Sequence, residues 1–374
     1  MTDTTDRRFG SDAYRRRLSR AAELTTDAGL DALIVTPGPD LRYLIGSAAN
    51  TFERLTALVV PADGPPLLVV ARIELASLKD SAATDLGIEM LDWVDGDDPY
   101  ALALSRLRDR PRLAVSDAMP ALHLIPFAER TDATPALATP VLRDLRMLKD
   151  ADEIDALRRA GAAIDRVHAR MGEWLRPGRT EREVAEDISA AMVAEGHRDA
   201  EFVIVGSGPN GADPHHEHSD RVITTDDLVV IDIGGDVAPG YYSDSTRTYA
   251  FAPPGPEVAG AYAALEAAQR AAVAAVRPGA TAASVDAAAR DVLRDAGLAE
   301  RFIHRTGHGI GLSVHEEPFI VAGNDVELKP GMAFSVEPGV YFPGEWGARI
   351  EDIVVVTDDG CEPLNSRPHE LRIL

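Results

Sequence analysis

Five side chains suited to holding divalent cations occur in order along the second half of the chain. They are Asp232 in V-V-I-D-I-G-G, Asp244 in Y-Y-S-D-S-T-R-T, His308 in H-R-T-G-H-G-I-G, Glu337 in F-S-V-E-P-G and Glu351 in A-R-I-E-D. One imidazole and four carboxylates make a hard to borderline donor set, which suits two divalent ions side by side. Asp232 closes an apolar run, where a carboxylate is costly unless it is paired or coordinated. His308 stands among Gly307, Gly309 and Gly311, which disfavour a helix and let the backbone come close to a ligand.

The elements that must carry these groups can be read from local pattern. Residues 228–231 have strand length and end in Asp232, and Pro239-Gly240 turns the chain into a second strand. There Tyr242, Asp244, Thr246 and Thr248 share one face by period-two alternation, so a hairpin brings Asp232 and Asp244 together. Asp236, in the expected turn, reads as a surface residue. Residues 332–337 form another strand, stopped by Pro338-Gly339. In A-R-I-E-D-I-V-V-V, Arg349 and Glu351 fall on one strand face and Asp352 on the other. His315 opens H-E-E-P-F, but a zinc-protease helix of the H-E-x-x-H type is excluded because Phe319 takes the second histidine position and Pro318 breaks the turn. His215, His216 and His218 follow a strand beginning at Phe202, in a Gly/Pro/Asn loop that by count alone reads as solvated.

Helices complete the second half. One runs from Asp152 to about Trp174, and the next is opened by Thr180 with Glu183 three residues on, a capping box. Two Ala-rich helices span about 257–276 and 282–296 around Pro278-Gly279. The first half differs in kind. Tyr14, Leu18, Ala21, Leu24 and Ala28 lie at helical spacing ahead of Gly29, and three short apolar strands follow in D-A-L-I-V-T, T-A-L-V-V-P and P-L-L-V-V-A. This is a small α/β domain whose single histidine, His123, has no partners in the sequence for chemistry. The expected division is 1–141 and 142–374.

A net charge of −23 over 374 residues argues against nucleic acid or an anionic membrane as partner. Cys361 is the only cysteine, so an internal disulfide is impossible and a reducing, cytoplasmic setting is expected. The polar start M-T-D-T-T-D-R-R-F-G lacks the apolar core of a signal peptide, and no run reaches the roughly 20 apolar residues of a membrane span.

Taken together, the five ligand-bearing motifs resemble the M24 metallopeptidases, the "pita-bread" family that includes methionine aminopeptidase, aminopeptidase P and prolidase. G-L-D-A-L-I-V-T and L-R-Y-L-I-G in the first half resemble the creatinase-type N-terminal domain, which points to the proline-directed branch. The resemblance implies an α/β (α+β) chain with a creatinase-like domain ahead of a pita-bread domain. It implies a two-metal Xaa-Pro dipeptidase in which Asp244 and Glu351 bridge the ions, Asp232 completes one site, and His308 with Glu337 the other. His215 and His315 are implied to stabilise the oxyanion, Glu337 to carry a proton, and Arg349 to support its neighbouring acid; His304 and Tyr341 also match positions in the aminopeptidase P branch. Mn²⁺ is expected ahead of Co²⁺ or Fe²⁺, with Zn²⁺ less suited to so carboxylate-rich a shell, and the implied assembly is a homodimer. Because Phe319-Ile320 follow H-E-E-P, no cation adjoins that motif to hold the carboxylate of a bare dipeptide. The alternatives are therefore an aminopeptidase acting on longer peptides, a hydrolase of a non-peptide amide, or a silent binding protein.

Overall fold

The computed structural model describes residues 8–50 and 53–374; the polar stretch 1–7 lies outside them. The chain divides into two compact units, Met1–Arg146 and Met147–Leu374. The division falls at the end of the helix Thr139–Met147, a few residues after the boundary expected from sequence.

In the first unit, helix α1 (Ser11–Asp27) buries Tyr14, Leu18 and Ala21, and Arg17 with them, and leaves Arg15, Arg16 and Arg20 outside. Gly29, at φ +69°, turns the chain out of the helix. The strands β1 (Ala32–Val35), β2 (Ala57–Pro61), β3 (Leu67–Ala71), β4 (Glu89–Trp93), β5 (Leu113–Val115) and β6 (Ala136–Leu137) form a mixed sheet in the order β4-β3-β2-β1-β5-β6. β1, β2 and β3 are buried throughout, which is why they read as continuous apolar runs. His123 is buried and meets the Tyr100 hydroxyl at 3.1 Å, a packed histidine.

The second unit is built from two layers of sheet and helix. One sheet has the order β17-β9-β8-β7, from β7 (Phe202–Ser207), β8 (Leu228–Val237), β9 (Tyr241–Ala250) and β17 (Arg372–Ile373). Helices at Ala151–Ala169 and Glu181–Ala194 cover it through a core that includes Ile164, Val167, Ile188, Val205 and Ile231. The second helix opens with the expected capping box of Thr180 and Glu183. The other sheet has the order β11-β10-β12-β15-β16, from β10 (Gly307–Gly309), β11 (Glu316–Ile320), β12 (Ala333–Val336), β15 (Asp352–Val356) and β16 (Cys361–Pro363). The Ala-rich helices Pro256–Ala275 and Ala282–Asp295 pack on it through Leu265, Ala272, Val285, Ala289, Phe334 and Val354. A separate ribbon pairs β13 (Gly339–Phe342) with β14 (Trp346–Arg349). The two layers meet where Thr248 Oγ1 exchanges hydrogen bonds with the Arg349 backbone and Glu351 N–H donates to Thr246 O at 3.1 Å. Among the described residues no helix is long and apolar enough to cross a membrane.

Two sequence expectations need correction. Asp236 is not on the surface: β8 runs ten residues and carries it inside, 3% exposed, where it accepts a hydrogen bond from Arg198 at 2.6 Å. Arg349 and Glu351 do not share one strand, because the chain leaves the β13–β14 ribbon after Arg349 and joins the larger sheet at Asp352. Glu351 therefore sits at a crossing between two sheets, where its side chain is free of ladder neighbours.

Candidate metal centre and active site

The β8–β9 hairpin pairs Asp232 with Thr246 and Gly234 with Asp244. Asp232 and Asp244 are thus diagonal neighbours on one face, the geometry in which side chains two positions apart across a ladder can meet. Asp232 lies in the middle of its strand rather than at its end. From the second sheet comes His308, on a strand pressed between two others. A Cβ at Gly307 would fall 1.8 Å from Ser335 O, so glycine is required for that approach. The His308 Nδ1 lies 3.1 Å from Gly309 O, a carbonyl that can only accept, so Nδ1 carries the hydrogen and Nε2 faces the acids. That Nε2 is 3.2 Å from Glu337 Oε1 and 3.6 Å from Asp244 Oδ2. Ser335 Oγ donates to Glu337 at 2.9 Å and accepts from His308 N–H at 3.0 Å, fixing the two relative to each other.

Ligand atoms of Asp244, His308 and Glu351 all lie within 4.8 Å of one another. Asp232 reaches the same group through Arg349, whose Nη2 donates to Asp232 Oδ2 at 2.6 Å and whose Nε donates to Thr246 Oγ1 at 3.1 Å. The Thr246 hydroxyl in turn donates to Glu351 Oε2 at 2.7 Å. These contacts satisfy one oxygen of each acid only. Asp232 Oδ1 and Glu351 Oε1 are buried with no hydrogen-bond partner, a position whose desolvation is offset in folded proteins by a cation or a proton.

The electrostatics agree. Burial, reinforced by the neighbouring Asp232, pushes Asp244 well above the usual carboxylate range, and burial with Asp244 and Glu337 does the same to Glu351. Burial also raises Asp232, against the pull of Arg349. Glu337 goes the other way: burial opposes its ionisation, but the His308 hydrogen bond and the charges of His308, His304 and Arg349 hold it at about 2. For His308, burial works against the imidazolium and the bond to Glu337 outweighs it, so its pKa is raised. Four crowded carboxylates cannot all be ionised beside one guanidinium; two divalent cations would supply the missing positive charge. The donor set therefore fits such a pair, and Arg349 leaves an oxygen of Asp232 open to it.

These residues line a cavity of about 660 Å³ together with His215, His304, Arg305 and His315. The His315 ring stands edge-on to His308 at 4.1 Å, and burial with the nearby cationic groups lowers its pKa to about 4, so it is neutral at physiological pH. His304 Nε2 and the Tyr341 hydroxyl are 2.9 Å apart, and that hydroxyl accepts from Arg349 Nη1 at 2.8 Å. His215 projects from an exposed loop, whereas His216 beside it turns inward to Glu181 at 2.8 Å.

Three contributors were not singled out in the sequence. Ser335, which couples His308 to Glu337, is one of many serines. Asp286, 1% exposed, accepts from Thr306 N and Oγ1 while Arg290 donates to His304 O, so the Ala-rich helix 282–295 anchors the histidine-bearing segment. Arg305 is the third: half-buried, stacked 4.5 Å over Phe319, and without a hydrogen bond or ion pair to its guanidinium among the described residues. Arg305 thus brings a cation to the cavity from the segment ahead of His308, with Phe319 as its platform. Its signal was a lone arginine inside H-R-T-G-H.

A protein with this fold and this acid cluster falls among the two-layered metallohydrolases. The sequence pattern of metallopeptidase family M24 matches residues 155–358, and that of the creatinase/prolidase N-terminal domain matches 17–148. The chain belongs to the M24 metallopeptidase family, hydrolases with the pita-bread fold. It is 64% identical over 369 residues to the "Probable dipeptidase PepE" of Mycobacterium tuberculosis, covering 98% of both chains. It is 35% identical over 359 residues to the "Xaa-Pro dipeptidase" of Lactobacillus delbrueckii subsp. lactis, covering 92% of this chain and 95% of that one. The crystal structure of the prolidase from Thermococcus sibiricus superimposes with a TM-score of 0.89 at 37% identity, over 96% of this chain and 99% of the other.

Proposed function

We propose that this chain is an Xaa-Pro dipeptidase that works with two divalent metal ions held by Asp232, Asp244, His308, Glu337 and Glu351. The observation that carries this reading is the pair of orphaned carboxylate oxygens on Asp232 and Glu351, both residues lining a cavity that is also lined by Arg305. The names of the Lactobacillus and Thermococcus relatives point to the same activity. Mn²⁺ is the first choice of ion, since carboxylate oxygens outnumber the single imidazole. A homodimer in the cytoplasm is the expected setting.

When bound, the ions supply Lewis acidity, polarising the scissile carbonyl and making water a nucleophile near neutral pH. The rest falls to the protein. Glu337, ionised at neutral pH, takes a proton from the attacking water and returns it to the departing proline nitrogen. That nitrogen belongs to a tertiary amide without N–H, so it needs a proton before it leaves. His315, neutral at pH 7, donates an N–H to the developing oxyanion, and His215, which lines the same cavity, shares that task. Arg349 keeps Asp232 and, through Thr246, Glu351 oriented. Arg305, desolvated on one face by Phe319, takes the substrate's free carboxylate in a bidentate pair.

A panel of Xaa-Pro dipeptides and Xaa-Pro-Yaa tripeptides, assayed with and without added Mn²⁺, tests this. Metal-dependent turnover of dipeptides is expected. Turnover of tripeptides alone would instead make the chain an aminopeptidase, and turnover of neither would leave a non-peptide amide or a silent binding role.

A further inference from the structure

Outside the acid cluster, the most heavily bonded buried charge in the catalytic unit is Glu181, in the first turn of the helix Glu181–Ala194 and 0% exposed. Its Oε1 accepts from Ser207 N at 2.8 Å, Ser207 Oγ at 2.6 Å and Asn210 Nδ2 at 3.0 Å. Its Oε2 accepts from His216 Nε2 at 2.8 Å, Ser219 N at 2.9 Å, Ser219 Oγ at 2.7 Å and the same Asn210 amide at 3.1 Å. Because a carboxylate only accepts, His216 must carry its hydrogen on Nε2. Ser207 Oγ also receives Arg221 Nη1 at 2.6 Å, which places positive charge behind the network. Burial opposes ionisation of Glu181, but these donors outweigh it and hold its pKa at about 2.

All of these donors lie on one loop, 207–219, at its start, its middle and its end. His215 is the cavity-lining histidine between them. The loop's other side is fixed as well: a Cβ at Gly347 would fall 1.9 Å from Gly211 O, so the loop lies flush on the strand that ends in Arg349. With His216 pulled inward, the adjacent His215 is held facing the cavity.

We infer that Glu181 is a positioning residue for His215, a buried carboxylate that sets the loop so that this imidazole meets the scissile carbonyl. The inference rests on the role given to His215 above. A glutamine at 181 keeps the shape but sets an NH₂ group against N–H donors, which loosens the loop without emptying the site.

A double-mutant cycle tests it, using Glu181→Gln, His215→Ala and the double variant, each assayed on an Xaa-Pro dipeptide with metal content measured alongside. His215→Ala is expected to lower kcat by about 100-fold. Glu181→Gln is expected to lower kcat by roughly 10-fold, with KM and metal content close to those of the parent. The double variant is expected to be no slower than His215→Ala alone, because a positioning residue has nothing left to position. Losses that multiply, or a folded Glu181→Gln variant with full kcat, overturn the inference. Should Glu181→Gln not fold, Ser219→Ala, which removes one hydroxyl donor, goes through the same cycle with the same two readings. A fully active His215→Ala variant contradicts the role assigned to that histidine, and with it the premise of the positioning role, while Xaa-Pro cleavage itself stands.

Discussion

Glu181 and Glu351 are carboxylates with almost the same exposure, 0% and 1%, yet they meet the same desolvation in opposite ways. Glu181 has hydrogen bonds to both oxygens and is held far below the usual carboxylate range. Glu351 has one hydroxyl on one oxygen, nothing on the other, and like-charged neighbours that drive it well above that range. A buried acid that is fully satisfied fastens structure; one left half satisfied among other acids is a site that needs a cation.

The largest expected effect comes from removing the unsatisfied acid. Glu351→Gln should lower kcat/KM by about 1000-fold or more, the loss of several kcal/mol of transition-state stabilisation, and should reduce bound metal. In chelated protein its melting temperature should equal or exceed that of the parent, since it removes surplus buried charge. Glu181→Gln should do the reverse in stability. It strips charge from a satisfied network, at about 3 kcal/mol, which corresponds to a fall in Tm of roughly 6–12 °C by calorimetry. If both variants melt alike, the contrast is broken.

The two regions should also respond to pH with opposite signs. Glu181 has a depressed pKa, so its contribution is present above the unfolded value of 4.5 and lost as pH falls toward about 2. His168, buried and lowered to about 3 chiefly by desolvation, adds a loss in the same direction that begins below 6.5. Glu351 and Asp244 are raised, so in metal-free protein they take stability away as pH rises through their unfolded values. Denaturant unfolding of chelated protein between pH 3 and 8 should therefore show a maximum, and Mn²⁺ at a hundredfold excess over Kd should lift the neutral side by about 2.7 kcal/mol for each ion bound.

The order of the candidate ligands was legible in the sequence because each acid or imidazole lies in a strand or directly beside one, with its own punctuation. Alternation placed Asp244 and Thr246 on one face, and the glycines around His308 signalled a close backbone approach that the contacts of Gly307 and Gly309 explain. What stayed hidden depends on contacts far apart in the chain. Asp236 looked like a turn residue because its strand continues through two glycines, a composition that suggests a break. Arg349 and Glu351 looked coplanar because nothing local reveals that the chain changes sheets between them. Glu181 was hidden behind its neighbours in a capping box, since its partners lie 26 to 38 residues away. Arg305 could be recognised only once Phe319 was seen beneath it.

Arg305 gives the smallest expected effect and the finest test of substrate class. Arg305→Gln should raise KM for Xaa-Pro dipeptides by roughly 10- to 100-fold, the worth of one charge-assisted contact, and leave kcat within a few-fold. Steady-state kinetics on a dipeptide and its C-terminal amide should show the preference between them disappearing in the variant.

The most direct measurement is a calorimetric titration of chelated protein with Mn²⁺, beside the Glu351→Gln variant. Two ions per chain for the parent and fewer for the variant are expected. Absence of binding by the parent, or equal stoichiometry in both, would contradict the assignment of the half-satisfied acids as a metal centre.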